Sequence, residues 1–194
     1  MKSALIFGLV SSLGFSALCL AQSTRSIVNV GYDKFEDLTE VSTSESRVDD
    51  AITRKNVKQD LRLHARYMCA GNTSHCRPDK LELMFISYSN LEHIRSIDLV
   101  LLYNGKRMRA SKPNWSSGDD GAGHPVELIT FVIPVEDFLK VALAEKVEGK
   151  LGETTFKLSD DNLTGMRALA KEIDSPVHGK GAKSQLRSSE RITS

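Results

Sequence analysis

Between residues 61 and 67 the chain alternates strictly: Leu61, Leu63, Ala65 and Tyr67 are apolar, while Arg62, His64 and Arg66 between them are polar. Side chains of a β-strand point to opposite faces in turn, so this spacing predicts a half-buried strand whose apolar side needs a second layer to cover it. His64 falls on the other side and is read as outward and solvated.

The same reading extends along the chain. Residues 26–35 and 39–43 alternate weakly and predict one or two strands, and 81–88 predicts another. Residues 97–103 are apolar on both faces, which predicts a central strand. Asn104-Gly105 follows at once and favours a type I′ turn, so 106–109 should return as a hairpin partner. Residues 126–133 give the next strand, apolar on both faces except at Glu127 and Thr130. Residues 44–56 and 110–125 are polar, the latter rich in Ser, Gly and Asp, and are read as loops. After Pro134, the residues Val135, Phe138, Leu139, Ala142 and Leu143 recur at helical spacing. Two short strands around Gly152-Glu153 come next, at 146–151 and 154–158. Ser159 then caps a final helix with Leu163, Met166, Ala170 and Ile173 in one stripe. Six to nine strands and two short C-terminal helices predict an α+β, predominantly β fold: an antiparallel sandwich or curled sheet with the helices against one side.

Residues 1–21 have the three-part form of a secretory signal peptide: Lys2, an apolar run over 4–18, and small residues at Cys19 and Ala21 that place the mature start at Gln22. Leu18 stands where a bacterial lipobox wants Gly, Ala or Ser, which disfavours a lipid anchor on Cys19. The expected address is secreted or periplasmic. Without the leader, 25 basic residues face 25 acidic ones. Residues 175–194 hold four basic side chains against Glu190 alone and no apolar period, which reads as a disordered tail of charge +3 behind a single domain, 22–174, of charge −3. With no basic excess, a nucleic-acid partner is excluded, and with no second long apolar run, no transmembrane anchor is expected after processing.

Cleavage of the leader leaves Cys69 and Cys76, an even pair in an oxidising compartment, and so predicts a disulfide closing an eight-residue ring. Redox-active dithiols sit two residues apart at a helix start, and a zinc site has no second Cys/His pair to complete four ligands. The stretch 116–124 carries Asp119, Asp120 and His124. Its spacing does not match a calcium-binding EF-hand, and no histidine lies in a G-x-S-x-G or H-E-x-x-H setting. His124 beside its two carboxylates is the best acid–base candidate for a hydrolytic enzyme, and with Trp115 the same residues are candidate partner contacts. No catalytic, cofactor or metal residue is assigned. Arg62, Arg66, Lys106, Arg107 and Arg109 are read as a solvated face, and Asn72, Asn114 and Asn162 open formal glycosylation sequons.

The run Gly31-Tyr32-Asp33-Lys34-Phe35-Glu36-Asp37-Leu38-Thr39-Glu40-Val41-Ser42-Thr43, the central cysteine pair, and the segments 147–152 and 156–159 together resemble a group of uncharacterised secreted bacterial proteins. The resemblance spans most of residues 26–173. It implies a small exported domain and carries over no catalytic residue. The expectation is a binding or structural module of the cell envelope whose partner is an envelope protein or a glycan. The alternatives are a hydrolytic enzyme, or an inhibitor-like module presenting the ring between Cys69 and Cys76. The sequence specifies no oligomeric state.

Overall fold

The computed structural model describes residues 27–53, 55–88 and 98–174; the expected leader, the basic tail with His178, and His93 lie outside the described residues. The chain runs β1 (Val28–Asp33), β2 (Leu38–Thr43), β3 (Ser46–Arg47), β4 (Asp49–Ile52), β5 (Leu61–Ala70), β6 (Lys80–Tyr88), β7 (Leu99–Tyr103), β8 (Lys106–Ala110), β9 (Asn114–Asp119), β10 (Pro125–Pro134), α1 (Val135–Ala142), β11 (Val147–Leu151), β12 (Thr154–Lys157) and α2 (Asp160–Asp174). The fold is mainly β with two helices, as the patterning predicts. Every strand pairing is antiparallel. The larger sheet has the order β1-β2-β5-β6-β10-β9, with β3 also on β5, and the smaller one β4-β12-β11-β7-β8.

The period-2 strand sets the core. Leu61, Leu63, Ala65, Tyr67 and Cys69 of β5 are all buried, beside Leu81, Leu83 and Phe85 of β6 and Ile129, Phe131 and Ile133 of β10. Burying each large side chain contributes about 1.5–3 kcal/mol. The sheets meet where Phe85 packs on Phe156 of β12, with ring centroids 5.4 Å apart. Phe156 lies over its cross-strand partner Gly149, where an added Cβ would come within 2.1 Å of the ring, so only glycine lets the ring reach the core there.

The helices cover the rest of the larger sheet's inner face. α2 packs on β1, β2, β3 and β5, and α1 on β6, β10 and α2. Ser159 caps α2 through a reciprocal pair: Asn162 N donates to Ser159 Oγ (3.2 Å) and Ser159 N to Asn162 Oδ1 (2.9 Å). Such a cap contributes about 1 kcal/mol. Asn162 Nδ2 also donates to Ser46 O at 3.1 Å, so this buried sequon asparagine has a structural task. The helix packs on β5, whose Tyr67 phenol is raised first by burial and second by Glu172 of α2.

Several expectations are corrected. There are twelve strands among the described residues rather than six to nine, because the presumed loops at 44–56 and 110–125 contain β3, β4 and β9. Those strands are short or exposed on both faces, so no apolar alternation betrays them. β1 stops at Asp33, and Phe35 sits in the following turn. β7 is interior to its sheet, but Leu102 is exposed, so only one of its faces is fully buried; Val132 of β10 is likewise exposed. In α1, Val141 is buried, while Leu143 lies beyond the helix end in solvent. His64 is half-buried, and its pKa is lowered chiefly by that burial. Asn104 (φ 47°) and Gly105 (φ 72°) form the expected positive-φ turn between β7 and β8.

Candidate functional site

The larger sheet presents two hairpin tips at diagonally opposite corners. The β9–β10 tip carries Asp119, Asp120 and His124, and Trp115 lies further back on β9 opposite Ile129, 40% exposed. Trp115 is therefore a strand residue rather than part of a loop. At the tip, Gly121 N donates to Asp119 Oδ1 (2.8 Å), while Ala122 N and His124 N donate to Asp120 Oδ1 (2.9 and 3.1 Å). His124 Nδ1 meets Asp120 Oδ2 at 2.8 Å. The His124 ring, followed by those two backbone N–H groups, holds the Asp120 carboxyl down to about 2. Both carboxylates thus serve the turn itself, whose Gly121 (φ 79°) and Gly123 (φ 86°) adopt positive φ. The His124 side chain is 72% exposed, and among the described residues its side-chain partner is Asp120. Among the described residues no hydrogen bond joins this imidazole to a hydroxyl or thiol. Among the described residues no three His, Cys, Asp or Glu side chains converge as metal ligands.

The β1–β2 tip is built differently. Asp33 Oδ1 accepts from Phe35 N (2.8 Å) and Glu36 N (3.3 Å), an Asx-type turn that fixes the backbone of residues 33–37. Tyr32 donates its hydroxyl to Asp37 Oδ1 at 2.9 Å, and this bond leads the causes that raise the Tyr32 phenol above its ordinary value. Lys34 Nζ stands 5.0 Å from the centroid of the Phe35 ring. At the apex, Phe35 is 86% exposed.

Behind the turn sits the disulfide-closed loop. Cys69 and Cys76 are bonded, with Cα atoms 5.7 Å apart, and Cys69 is buried on β5. Gly71 N donates to Asp37 O (2.7 Å), the buried Thr39 Oγ1 donates to Gly71 O (2.6 Å), and Thr73 N donates to Thr39 Oγ1 (3.1 Å). Tyr67, buried beneath, donates its hydroxyl to Ser74 O at 3.3 Å. Burial first, and Glu172 second, push the Tyr67 phenol up to about 12. Loop and turn are therefore one braced corner. Asn72 and His75 are exposed on its surface. The turn carries Asp33, Glu36 and Asp37 against Lys34 alone.

The five cations read as a solvated face divide between two sheets: Arg62 and Arg66 on β5, and Lys106, Arg107 and Arg109 on β8. Arg66 bridges Glu40 (2.9 Å) and Glu82 (2.7 Å), and Arg62 pairs with Glu45 (2.9 Å) while lying 4.5 Å over the Tyr88 ring. The candidate residues thus separate. Asp119, Asp120 and His124 come together at one turn, Trp115 stands apart from them, and the disulfide belongs to the opposite corner. What sequence reasoning missed is Phe35, whose apolar character placed it in a strand. The one available signal was Asp33 two residues before it, an Asx-turn residue. Comparison of the chain with protein-family models, with curated proteins and with solved structures finds no match.

Proposed function

We propose that this chain is an exported binding module of the cell envelope, without a catalytic role, and that it meets its partner through the braced corner formed by the β1–β2 turn and the disulfide-closed loop. The observation that carries this reading is Phe35: a large aromatic ring 86% exposed, on a turn whose backbone is held by Asp33 and whose base is tied to the loop behind it. Binding energy at interfaces concentrates in a few aromatic and Arg anchors, and a side chain whose backbone is already fixed loses less freedom on binding. The hydrogen bonds of residues 71 and 73 to the turn, together with the disulfide, supply that preorganisation. Export agrees with the leader-like residues 1–21 and with a disulfide, which persists in oxidising compartments. Among the described residues no helix is long and apolar enough to cross a membrane.

The test is site-specific photo-crosslinking in the native host, with a benzoyl-phenylalanine analogue at position 35 and, separately, at position 124. A discrete crosslinked species at 35, absent at 124 and lost when Cys69 and Cys76 are both replaced by Ala, is the expected result. Equal crosslinking at the two positions, or none at 35, would remove the corner from the account.

A further inference from the structure

β9, at one end of the larger sheet, has an open side. Antiparallel ladders alternate between residue pairs that exchange N–H···O bonds and pairs that do not. Asp120 N donates to His124 O at 3.0 Å, which makes 120 and 124 a bonded pair. The register is regular from there, so Gly118, Ser116 and Asn114 bond to Val126, Leu128 and Thr130 of β10. Trp115, Ser117 and Asp119 therefore turn their backbone N–H and C=O groups away from β10, and no described residue bonds to them there. Proteins blunt such edges with charge, bulges or a covering segment. β8 is lined by Lys106, Arg107 and Arg109, and β4 is covered by residues 58 and 59, through the bridge from Ile52 to Lys58 and the bond from Gln59 N to Ala51 O. β9 holds no charge from 114 to 118, no proline and no bulge. All six of its residues are exposed, on both faces, so it projects beyond the smaller sheet.

We infer that β9 is a dimerisation edge, on which the β9 strand of a second copy of this chain adds antiparallel about Ser117. In that register Ser117 meets the second copy's Ser117 and Trp115 meets its Asp119, so every outward N–H and C=O group of the strand finds a partner. The centre consists of small residues, Ser116, Ser117 and Gly118, which lets the two backbones approach. Trp115, 40% exposed in the single chain, comes diagonal to the second copy's Ser117, and diagonal neighbours about 7–8 Å apart are within reach of an aromatic ring. Charge selects the antiparallel sense. The exposed Lys112 precedes the strand, while Asp119 and Asp120 stand at its other end. The two-fold brings the basic end of each strand to the acidic end of the other, whereas a parallel arrangement would set like charges side by side. His124 stays behind β9, on the β10 side of the tip, and so outside the interface. One six-residue strand from each copy makes a small interface, below about 1,200 Å² in total, so a dimer exchanging with monomer at micromolar concentration is expected. The Phe35 corners lie at the opposite ends of the joined sheets, where the dimer leaves both free and presents them bivalently. Edge and corner share no residue, so failure of this inference leaves the corner reading standing.

Sedimentation equilibrium of the full native protein from about 1 to 500 µM, with Ser117→Pro alongside, is the experiment, the range bracketing the affinity of a small interface. Proline at 117 removes an outward N–H that β10 does not use, and an edge strand tolerates proline in that position. A reversible dimer that Ser117→Pro converts to monomer with unchanged circular dichroism is expected. The register is read independently by cysteine substitution: Ser117→Cys should crosslink to itself across the two-fold, while Asn114→Cys, displaced from the axis, should not. If proline disturbs the fold, the cysteine pair alone decides. Three results overturn the inference: a monomer throughout, a dimer that a folded Ser117→Pro leaves intact, or self-crosslinking at both cysteines alike. A monomer whose amides at 115, 117 and 119 exchange slowly also overturns it, by showing that another part of the chain covers the edge.

Discussion

The two hairpin tips of the larger sheet are built from similar residues and held in different ways. Both are rich in Asp, and in both a carboxylate caps the turn: Asp33 at one, Asp119 and Asp120 at the other. The β9–β10 tip closes entirely on itself, since each of its hydrogen bonds spans four residues or fewer. The β1–β2 tip is tied to a loop more than thirty residues away through Gly71, Thr39 and Thr73, and that loop is closed by a disulfide. A self-contained turn is an economical way to reverse a chain, and the hydrogen bonds of the Asp120–His124 pair close such a turn. A tip braced from outside can hold an exposed ring in place.

Breaking the brace should have the largest effect. Replacing Cys69 and Cys76 together by Ala releases an eight-residue ring and should cost about 2.5 kcal/mol in urea unfolding. A loss below about 0.5 kcal/mol would mean that the corner is held without the disulfide. Thr39→Val removes the hydroxyl shared by the carbonyl of Gly71 and the amide of Thr73, which keep only their mutual bond at 3.0 Å, and should cost about 1.5 kcal/mol. At the other tip, Gly123→Ala forces a Cβ into positive φ for about 1 kcal/mol, and no strand outside the hairpin should respond in amide exchange. If β5 loosened as well, the self-contained description of that tip would be wrong.

pH separates the corners at opposite extremes. Asp120 has a folded pKa held down to about 2, so its contribution is fully present above its ordinary value of 3.8 and is lost as pH falls through about 2. Tyr67 has a folded pKa raised to about 12, so its contribution is present below its ordinary value of 10 and is lost as pH rises through about 12. Carbon-13 titration should find the Asp120 midpoint near 2 and move it up in His124→Ala; an unmoved midpoint would remove the imidazole as its leading cause. The smallest effect on stability belongs to Phe35→Ala, within about 0.5 kcal/mol as for any exposed side chain, although with the photo-reactive residue moved to exposed position 72 it should abolish the crosslink at this corner.

What the sequence disclosed follows from how each element is held. The β5 alternation, the Asn104-Gly105 turn and the Ser159 cap are local patterns with local causes, and each lies where the sequence places it. β9 escaped because an edge strand with both faces in solvent needs no apolar residue, only a backbone partner. Phe35 escaped because its exposure depends on where β1 ends, which the Asp33 side chain decides. The bond between Thr39 and Gly71 escaped because it joins residues that only the fold brings together.

Amide exchange tests the comparison at single-residue level. The N–H groups of Gly71 and Thr73 donate across to the β1–β2 corner, whereas those of Gly121 and Ala122 donate to neighbouring aspartates. Exchange at 71 and 73 should be slow and accelerate when the disulfide is reduced, while exchange at 121 and 122 should be fast and unchanged. Equal rates at all four amides, or slow rates at 71 and 73 that ignore reduction, would contradict that comparison.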